Sequence, residues 1–280
     1  MVLTLEFWEL FFLIFLTATL FLTNHLLSFY SVFSFLVLFT HLILFKPDIY
    51  KKFCYHFQFI LALLMYPFLS YVILPTLSER RCDTNLFQLS NAFFPSLDLS
   101  HIHHSYWITE VLSAVYFLAI FVNIGLFWFF LSYRSNKLSA QSQFTWFFAF
   151  TCYLIFPAEG PHSLGFSPDW LSLGPIANFN YNIIRSINGT IDCFPSMHTC
   201  SMIQWLLLSW RYGPSLLFLI LLPFSCLVVL STLYLNYHYA IDVFAGGVLA
   251  FLTYGYMQKF PLTLTLSIPY KIVTLWKKEY

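Results

Sequence analysis

The segment "STLYLNYHYAIDVFAGG" (Ser231–Gly247) places two ionisable side chains, His238 and Asp242, among apolar neighbours near the end of the chain. Ionisable groups are costly inside a membrane, and they are usually functional where they occur. The small residues that follow Asp242 suit close packing between membrane helices. The segment therefore predicts a helix that enters the membrane next to a functional His–Asp pair.

The composition of the whole chain agrees with a membrane location. Of its 280 residues, 59% are hydrophobic and only 9% are charged, whereas a soluble domain carries about 25% charged residues. Such a chain cannot cover its surface with charge, so lipid must cover it. The net charge of +1 gives no indication of a nucleic-acid partner. We expect an all-α integral membrane protein, a polytopic helical bundle.

Apolar runs long enough to cross a bilayer predict about eight transmembrane helices. The predicted spans are 4–23, 28–45, 57–75, 107–132, 143–157, 197–210, 214–233 and 239–258. We divide the chain into two N-terminal helices (1–56), a six-helix core (57–260) and a tail that lies along the inner membrane surface (261–280).

The positions of Lys and Arg predict the orientation of these spans. With eight spans, ten of the 13 Lys and Arg residues fall on the side of the termini, and Arg80, Arg81 and Arg185 fall on the other. Cytoplasmic loops carry the excess of positive charge, so both termini are expected in the cytoplasm. The long loops 76–106 and 158–196 then face the periplasm or an organelle lumen. We favour a bacterial inner membrane over the Golgi.

The motif "FPSMH" opens the sixth predicted span. Pro195 and Ser196 before an apolar run form a helix-start signature, and the free amide groups of a helix start favour phosphate. His198, in the first turn, would lie close to a bound anion, where an imidazolium donates a proton to a leaving oxygen. The alternative is a capping serine beside an interfacial histidine without a catalytic role.

The motif "HYAID" places His238 and Asp242 four residues apart, a spacing that brings side chains to one face of a helix. The carboxylate would accept a hydrogen bond from one ring nitrogen and leave the other nitrogen basic. A histidine held in this way acts as a nucleophile or a base. The alternative is a polar pair that joins two helices.

Other polar and sulfur-containing residues carry weaker signals. The six cysteines lack metal-ligand spacing, and Cys82 and Cys193 fall in outer loops where a disulfide remains open. His101, His103 and His104 do not converge on one helix face, so we interpret them as an interfacial polar stretch. We predict neither a metal nor a cofactor.

Together these motifs resemble the type 2 phosphatidate phosphatase superfamily over roughly the last 140 residues. "PSMH" and "HYAID", about 40 residues apart, are similar to the second and third signatures of that family. "YLNYHYAIDVFAGG" looks most like the branch with inositol phosphorylceramide synthases. The resemblance implies that His238 attacks phosphorus, Asp242 orients it and His198 protonates the leaving alcohol, without a metal.

The chain departs from the family where cations usually hold the phosphate. Thr232 stands where many members have Arg, and Tyr153 and Gly160 fall where a Lys and an Arg occur in the first signature. We expect other residues of the outer face to bind phosphate. The candidates are Arg185, His162, Ser196, Gly160 and Tyr153.

The sequence therefore predicts an enzyme that hydrolyses a lipid phosphate or diphosphate at the outer membrane face through a phosphohistidine. Its expected partners are a membrane lipid substrate and the bilayer; the oligomeric state stays open. One alternative is a phosphotransferase that passes a phospho-head group to a lipid alcohol. A second is a non-catalytic lipid transporter with the same fold.

Overall fold

A computed structural model describes residues 2–6, 77, 79–97, 104–133, 136–164, 174–187, 192–259 and 263–267. Its helices are α1 (Asp83–Phe93), α2 (Tyr106–Tyr133), α3 (Asn136–Ile155), α4 (Pro175–Ile187), α5 (Met197–Tyr212), α6 (Ser215–Tyr234) and α7 (Ala240–Lys259). Short 3-10 turns occupy Pro95–Leu97 and Pro161–Leu164. The described residues also include strands β1 (Val2–Glu6) and β2 (Thr263–Ser267). The predicted spans 28–45 and 57–75 lie outside the described residues.

Five of the helices correspond to the five predicted spans that the structure describes. Within the part of the chain that the structure describes, three segments are long and apolar enough to cross a membrane, namely Tyr106–Phe130, Ser215–Tyr234 and Ala240–Lys259. They indicate an integral membrane protein. Helix α3 begins at Asn136, seven residues before the predicted start at 143. The helix therefore extends beyond the predicted span, because the segment "NKLSAQS" is polar but contains Lys, Leu, Ala and Gln, which favour helix formation.

Helix α5 lies in the middle of the described bundle and packs against α2, α3, α6 and α7. Its Trp205 is fully buried and stacks on Phe130 of α2, with ring centroids 5.5 Å apart. The indole Nε1 donates a hydrogen bond to Oδ1 of Asn123, at 2.8 Å. A buried polar group without a partner would destabilise the fold, so this bond fixes how α5 sits against α2.

A second polar contact joins three helices inside the bundle. The amide of Gln204 in α5 donates to the hydroxyl of Thr145 in α3, which donates to the hydroxyl of Thr253 in α7, at 2.9 Å. Hydrogen bonds between membrane helices are worth about 0.6 kcal/mol each on average. They fix the relative position of helices that carry the site described below.

The two long predicted loops contain helices that the sequence did not predict, α1 within 76–106 and α4 within 158–196. The buried carboxylate of Glu110 in α2 accepts hydrogen bonds from the amides of Ile176 (3.0 Å) and Ala177 (2.8 Å). It thereby caps the start of α4. Helix α1 packs against α7 and against the turn Pro161–Leu164.

Strand β1 pairs with β2 in antiparallel register, with Leu3 opposite Leu266. The sequences "VLTLE" and "TLTLS" alternate apolar and polar residues, the period of a strand. The predicted start of the first span at residue 4 is therefore wrong, since residues 4–6 belong to β1. The rest of that span and most of the tail 261–280 lie outside the described residues. The pairing brings the N-terminal strand to the chain that follows α7.

Candidate active site

The start of α5 is fixed by its cap and by a close approach of α7. The Ser196 hydroxyl accepts a hydrogen bond from the amide of Thr199, at 3.3 Å, so the predicted helix start is confirmed. The Ser196 amide donates to the carbonyl of Asp242, at 3.0 Å. A Cβ on Gly246 would lie only 2.5 Å from the carbonyl oxygen of Ser196. The two helix starts therefore touch through backbone atoms.

His238 and Asp242 lie together, although they do not share a helix. Helix α7 begins at Ala240, and His238 belongs to the preceding turn. Oδ2 of Asp242 accepts a hydrogen bond from the amide of Tyr239, at 2.8 Å, which is the return half of a capping box. This bond turns the carboxylate back towards Nδ1 of His238, at 3.6 Å. The predicted pairing is present, but a helix cap and not a shared helix face produces it.

The thiol of Cys193 lies between the histidine and the carboxylate. It donates a hydrogen bond to Oδ2 of Asp242 (2.8 Å), and Sγ is 3.3 Å from Nδ1 of His238. The distance of 3.6 Å between His238 and Asp242 exceeds that of a direct hydrogen bond. The sulfur therefore mediates part of the contact. Burial, and next the charge of Asp242, raise the pKa of the Cys193 thiol, which favours its protonated form.

Cys82 and Cys193 are both free thiols. The disulfide left open from the sequence is therefore absent between these two residues. Their backbones lie on either side of one segment, since the amide of Cys82 bonds to the carbonyl of Pro157 and the amide of Cys193 to that of Ala158. Cys193 occupies the centre of the site instead.

His198 faces His238 across the site. The centroids of the two imidazole rings are 6.3 Å apart. The ring of Tyr116 in α2 stacks on His198, with centroids 4.1 Å apart, and also contacts Tyr237. This stacking fixes the orientation of His198, which is half-buried. The structure thus brings together the three predicted catalytic residues, His198, His238 and Asp242.

Asp83, the first residue of α1, joins three parts of the site. Its buried carboxylate accepts hydrogen bonds from the amides of Glu159 (3.0 Å) and Gly160 (2.8 Å) and from the hydroxyl of Tyr239 (3.2 Å). Further along α1, the Ser90 hydroxyl accepts from the amide of Ala240, at 3.1 Å. Helix α1 therefore holds the loop after α3 against the start of α7.

Replacing Asp83 with Asn should destabilise the protein by roughly 1–3 kcal/mol, because a charged acceptor of several hydrogen bonds is lost. We expect a lower midpoint of thermal unfolding in detergent. Asn85→Ala, an exposed position in the same helix, is the matched control and should change little. Equal unfolding midpoints for the two variants would show that Asp83 does not hold the loop.

Gly160 and His162 line the edge of the site. Gly160 has φ +109°, and an added Cβ would lie 2.7 Å from the carbonyl oxygen of Tyr237. Its amide is bound to Asp83. His162 has a buried Nδ1 with no hydrogen-bond partner among the described residues. Burial lowers the pKa of His162, and the charge of nearby Glu159 opposes the shift only in part.

The other predicted phosphate-binding residues do not converge in the same way. Tyr153 is buried in the hydrophobic core with Phe150. The hydroxyl of Ser196 is used by the helix cap. Arg185 lies in α4, and its side chain is outside the described part of the structure. Arg81, which was not one of these candidates, forms an ion pair with Glu159. Phosphate binding by these residues stays a prediction.

Sequence reasoning missed Cys193 and Asp83. Cys193 stands three residues before Ser196, and its position next to "FPSMH" was the available signal. Asp83 lies more than 150 residues from Tyr239, and no local pattern links them. His104, predicted as part of an interfacial stretch, is buried and has Nε2 2.8 Å from the carbonyl oxygen of Tyr234. It connects the start of α2 to the end of α6.

These features define a helical membrane protein with a site of two histidines and an aspartate at one end of its bundle. The chain belongs to the PAP2 superfamily, whose family model matches residues 93–256, more than half of the sequence. The match includes the two histidines and the aspartate of the site, His198, His238 and Asp242, but not Asp83. Membership indicates an activity of the phosphatase or phosphotransferase type. No curated protein and no solved structure compared with the chain matches it.

Proposed function

We propose that the protein hydrolyses a lipid phosphate or diphosphate through a phosphohistidine intermediate on His238. The observation that supports this most directly is the position of the imidazole. The contacts of its ring with Cys193 and Asp242 both use Nδ1. The Cys193 thiol donates its hydrogen to Asp242, so its sulfur can only accept a hydrogen bond from the ring. Nδ1 therefore carries the hydrogen in this proposal, and Nε2 keeps its lone pair. That nitrogen is the nucleophile that the reaction needs.

His198 is the proposed general acid. Nε2 of His238 attacks phosphorus, and the bond to the leaving alcohol oxygen breaks while His198 donates a proton to it. Water then attacks the phosphorus of the phosphohistidine, the bond between phosphorus and Nε2 breaks and frees His238, and His198 accepts a proton from the water. The negative charge of a bound phosphate favours the protonated form of His198. A metal is not required in this proposal.

In this proposal, histidine side chains provide part of the phosphate binding that Lys and Arg provide in many members of the family. His162 lies next to Gly160 at the edge of the site, since a Cβ added to Gly160 would be 3.5 Å from Nδ1 of His162. A donor of this kind binds phosphate by hydrogen bonds without a permanent charge. Arg185 remains the proposed cation.

The location of the site supports catalysis at the outer membrane face. His198 lies in the first turn of α5, and His238 lies just before the start of α7. The basic residues Arg211 and Lys259 lie at the opposite ends of these two helices. Positive charge marks the cytoplasmic side. The lipid chains would stay in the bilayer while the head group reaches the site. The pairing of β1 with β2 places the N-terminal strand at the basic end, in agreement with this orientation.

Replacing His198 with Ala should lower the hydrolysis of an alkyl phosphate by about 10²-fold, the lower end of the range for general acid catalysis. An aryl phosphate such as p-nitrophenyl phosphate has a leaving group that needs no proton, and its hydrolysis should fall much less. The measurement is kcat/KM for both substrates. An equal loss for both would contradict the role of His198 as an acid.

The proposal is tested with the purified full chain in liposomes that contain phosphatidate, phosphatidylglycerol phosphate or undecaprenyl diphosphate. Release of inorganic phosphate that the His198→Ala variant loses would support a phosphatase. A new phospholipid formed from ceramide or diacylglycerol without free phosphate would support the phosphotransferase. A protein that moves lipids between leaflets and releases no phosphate would overturn the enzymatic proposal.

A further inference from the structure

The side chains of Cys193, His238 and Asp242 form a compact set of metal-ligand atoms. Sγ, Nδ1 and Oδ2 all lie within 4.8 Å of one another, and all three residues are buried. The three separations are 2.8, 3.3 and 3.6 Å. Around tetrahedral zinc, with Zn–S about 2.3 Å and Zn–N or Zn–O about 2.0–2.1 Å, ligand atoms lie roughly 3.3–3.6 Å apart. The separations of 3.3 and 3.6 Å fall in this range, whereas the distance of 2.8 Å between Sγ and Oδ2 is that of the thiol hydrogen bond and would lengthen by roughly 0.5–0.8 Å around a bound ion.

A second observation is that the negative charge of the Asp242 carboxylate is only partly compensated by its neighbours. Oδ1 of Asp242 is buried and has no hydrogen-bond partner among the described residues. A buried carboxylate without full compensation is costly. A divalent cation bound by one thiolate, one carboxylate and a neutral imidazole would leave the cluster with no net charge. The composition of the trio therefore suits Zn²⁺ better than a singly charged ion.

We propose that Cys193, His238 and Asp242 bind a thiophilic divalent cation such as Zn²⁺, and that the bound ion inactivates the nucleophile. The metal displaces the thiol proton of Cys193, which is released to solvent, and takes the lone pair of Nδ1. The remaining hydrogen of the neutral imidazole then lies on Nε2. That nitrogen has no lone pair to attack phosphorus. The inhibitory part of this proposal depends on the proposed function, whereas the binding part does not.

Binding is tested on the full-length protein in detergent by titration with Co²⁺, a spectroscopic substitute for Zn²⁺. We expect a thiolate-to-cobalt charge-transfer band in the near ultraviolet that Zn²⁺ removes by competition. The band should be lost in Cys193→Ser and kept in Cys82→Ser, the matched cysteine of the other outer loop. A wild-type protein without the band, or a band that survives in Cys193→Ser, would overturn the site.

X-ray absorption of the zinc-loaded wild-type protein keeps the test valid if Cys193→Ser fails to fold. One sulfur neighbour with nitrogen or oxygen neighbours is expected, and two or more sulfurs would overturn the assignment. Zn²⁺ should also abolish phosphate release, and a chelator should restore it. Full turnover by the zinc-loaded protein would overturn the inhibitory part. If His238→Ala retains turnover, the proposed function fails, while the cobalt band still decides the binding site.

Discussion

Replacing His238 with Ala should reduce phosphate release from a lipid phosphate by at least about 10³-fold, because the group that forms the covalent intermediate is removed. In the proposed mechanism this histidine is the nucleophile, since Cys193 and Asp242 contact Nδ1 and leave Nε2 for the reaction. The measurement is kcat with saturating substrate in liposomes. Acid-labile phosphate bound to the wild-type protein during turnover, and absent from the variant, would identify the phosphohistidine.

His104→Gln is a suitable control for this experiment. His104 is also a buried histidine, but its Nε2 contacts the carbonyl oxygen of Tyr234 and its ring packs on the Tyr234 ring. A side-chain amide of Gln can replace this hydrogen bond. We expect most of the activity to remain. Turnover in His238→Ala close to that of His104→Gln would rule out the phosphohistidine mechanism.

Replacing Gly246 with Ala should lower activity by more than about 10²-fold and also destabilise the protein. The added Cβ would lie 2.5 Å from the carbonyl oxygen of Ser196, a backbone atom that cannot rotate away. Relief of this clash requires a separation of α5 and α7 by about 1 Å, and misplacement of that size can cost 10²-fold in rate. Overpacking of this kind costs typically about 1–3 kcal/mol.

Gly247→Ala provides the matched control, one residue further along α7. Its Cβ would meet only the Cδ1 atom of Ile203, at 3.4 Å, which is ordinary contact with a flexible side chain. Activity and thermal unfolding should stay near those of the wild-type protein. Comparison of the two variants separates the general effect of replacing a glycine in α7 from the effect of the clash with Ser196. Equal effects at the two positions would show that the contact between α5 and α7 does not position His198 and His238.

The sequence predicted the membrane class, five of the helices in the described ranges and the three central site residues. These features rest on local patterns: long apolar runs, the Pro–Ser helix start and the His–Asp spacing. Family membership is confirmed by the match over residues 93–256. The total of eight spans stays a prediction, because three of them lie wholly or mostly outside the described residues.

The local reasoning failed where contacts join distant parts of the chain. Helices α1 and α4 were predicted as loops because short amphipathic helices give weak signals beside long membrane spans. Their boundaries depend on partners elsewhere, such as Glu110 for α4. Asp83 joins the loop after α3 to the start of α7, and no spacing along the sequence reveals that connection.

By itself, the sequence determined that the chain is a membrane protein and pointed to two histidines and an aspartate as candidate site residues, because hydropathy and helix-start signals are local properties. Only the tertiary structure decided how these residues meet. It placed the Cys193 thiol between His238 and Asp242, and it showed that a helix cap aims the carboxylate. Such contacts depend on the packing of α5 against α7. This packing joins residues that are far apart in the sequence, so no local pattern predicts it.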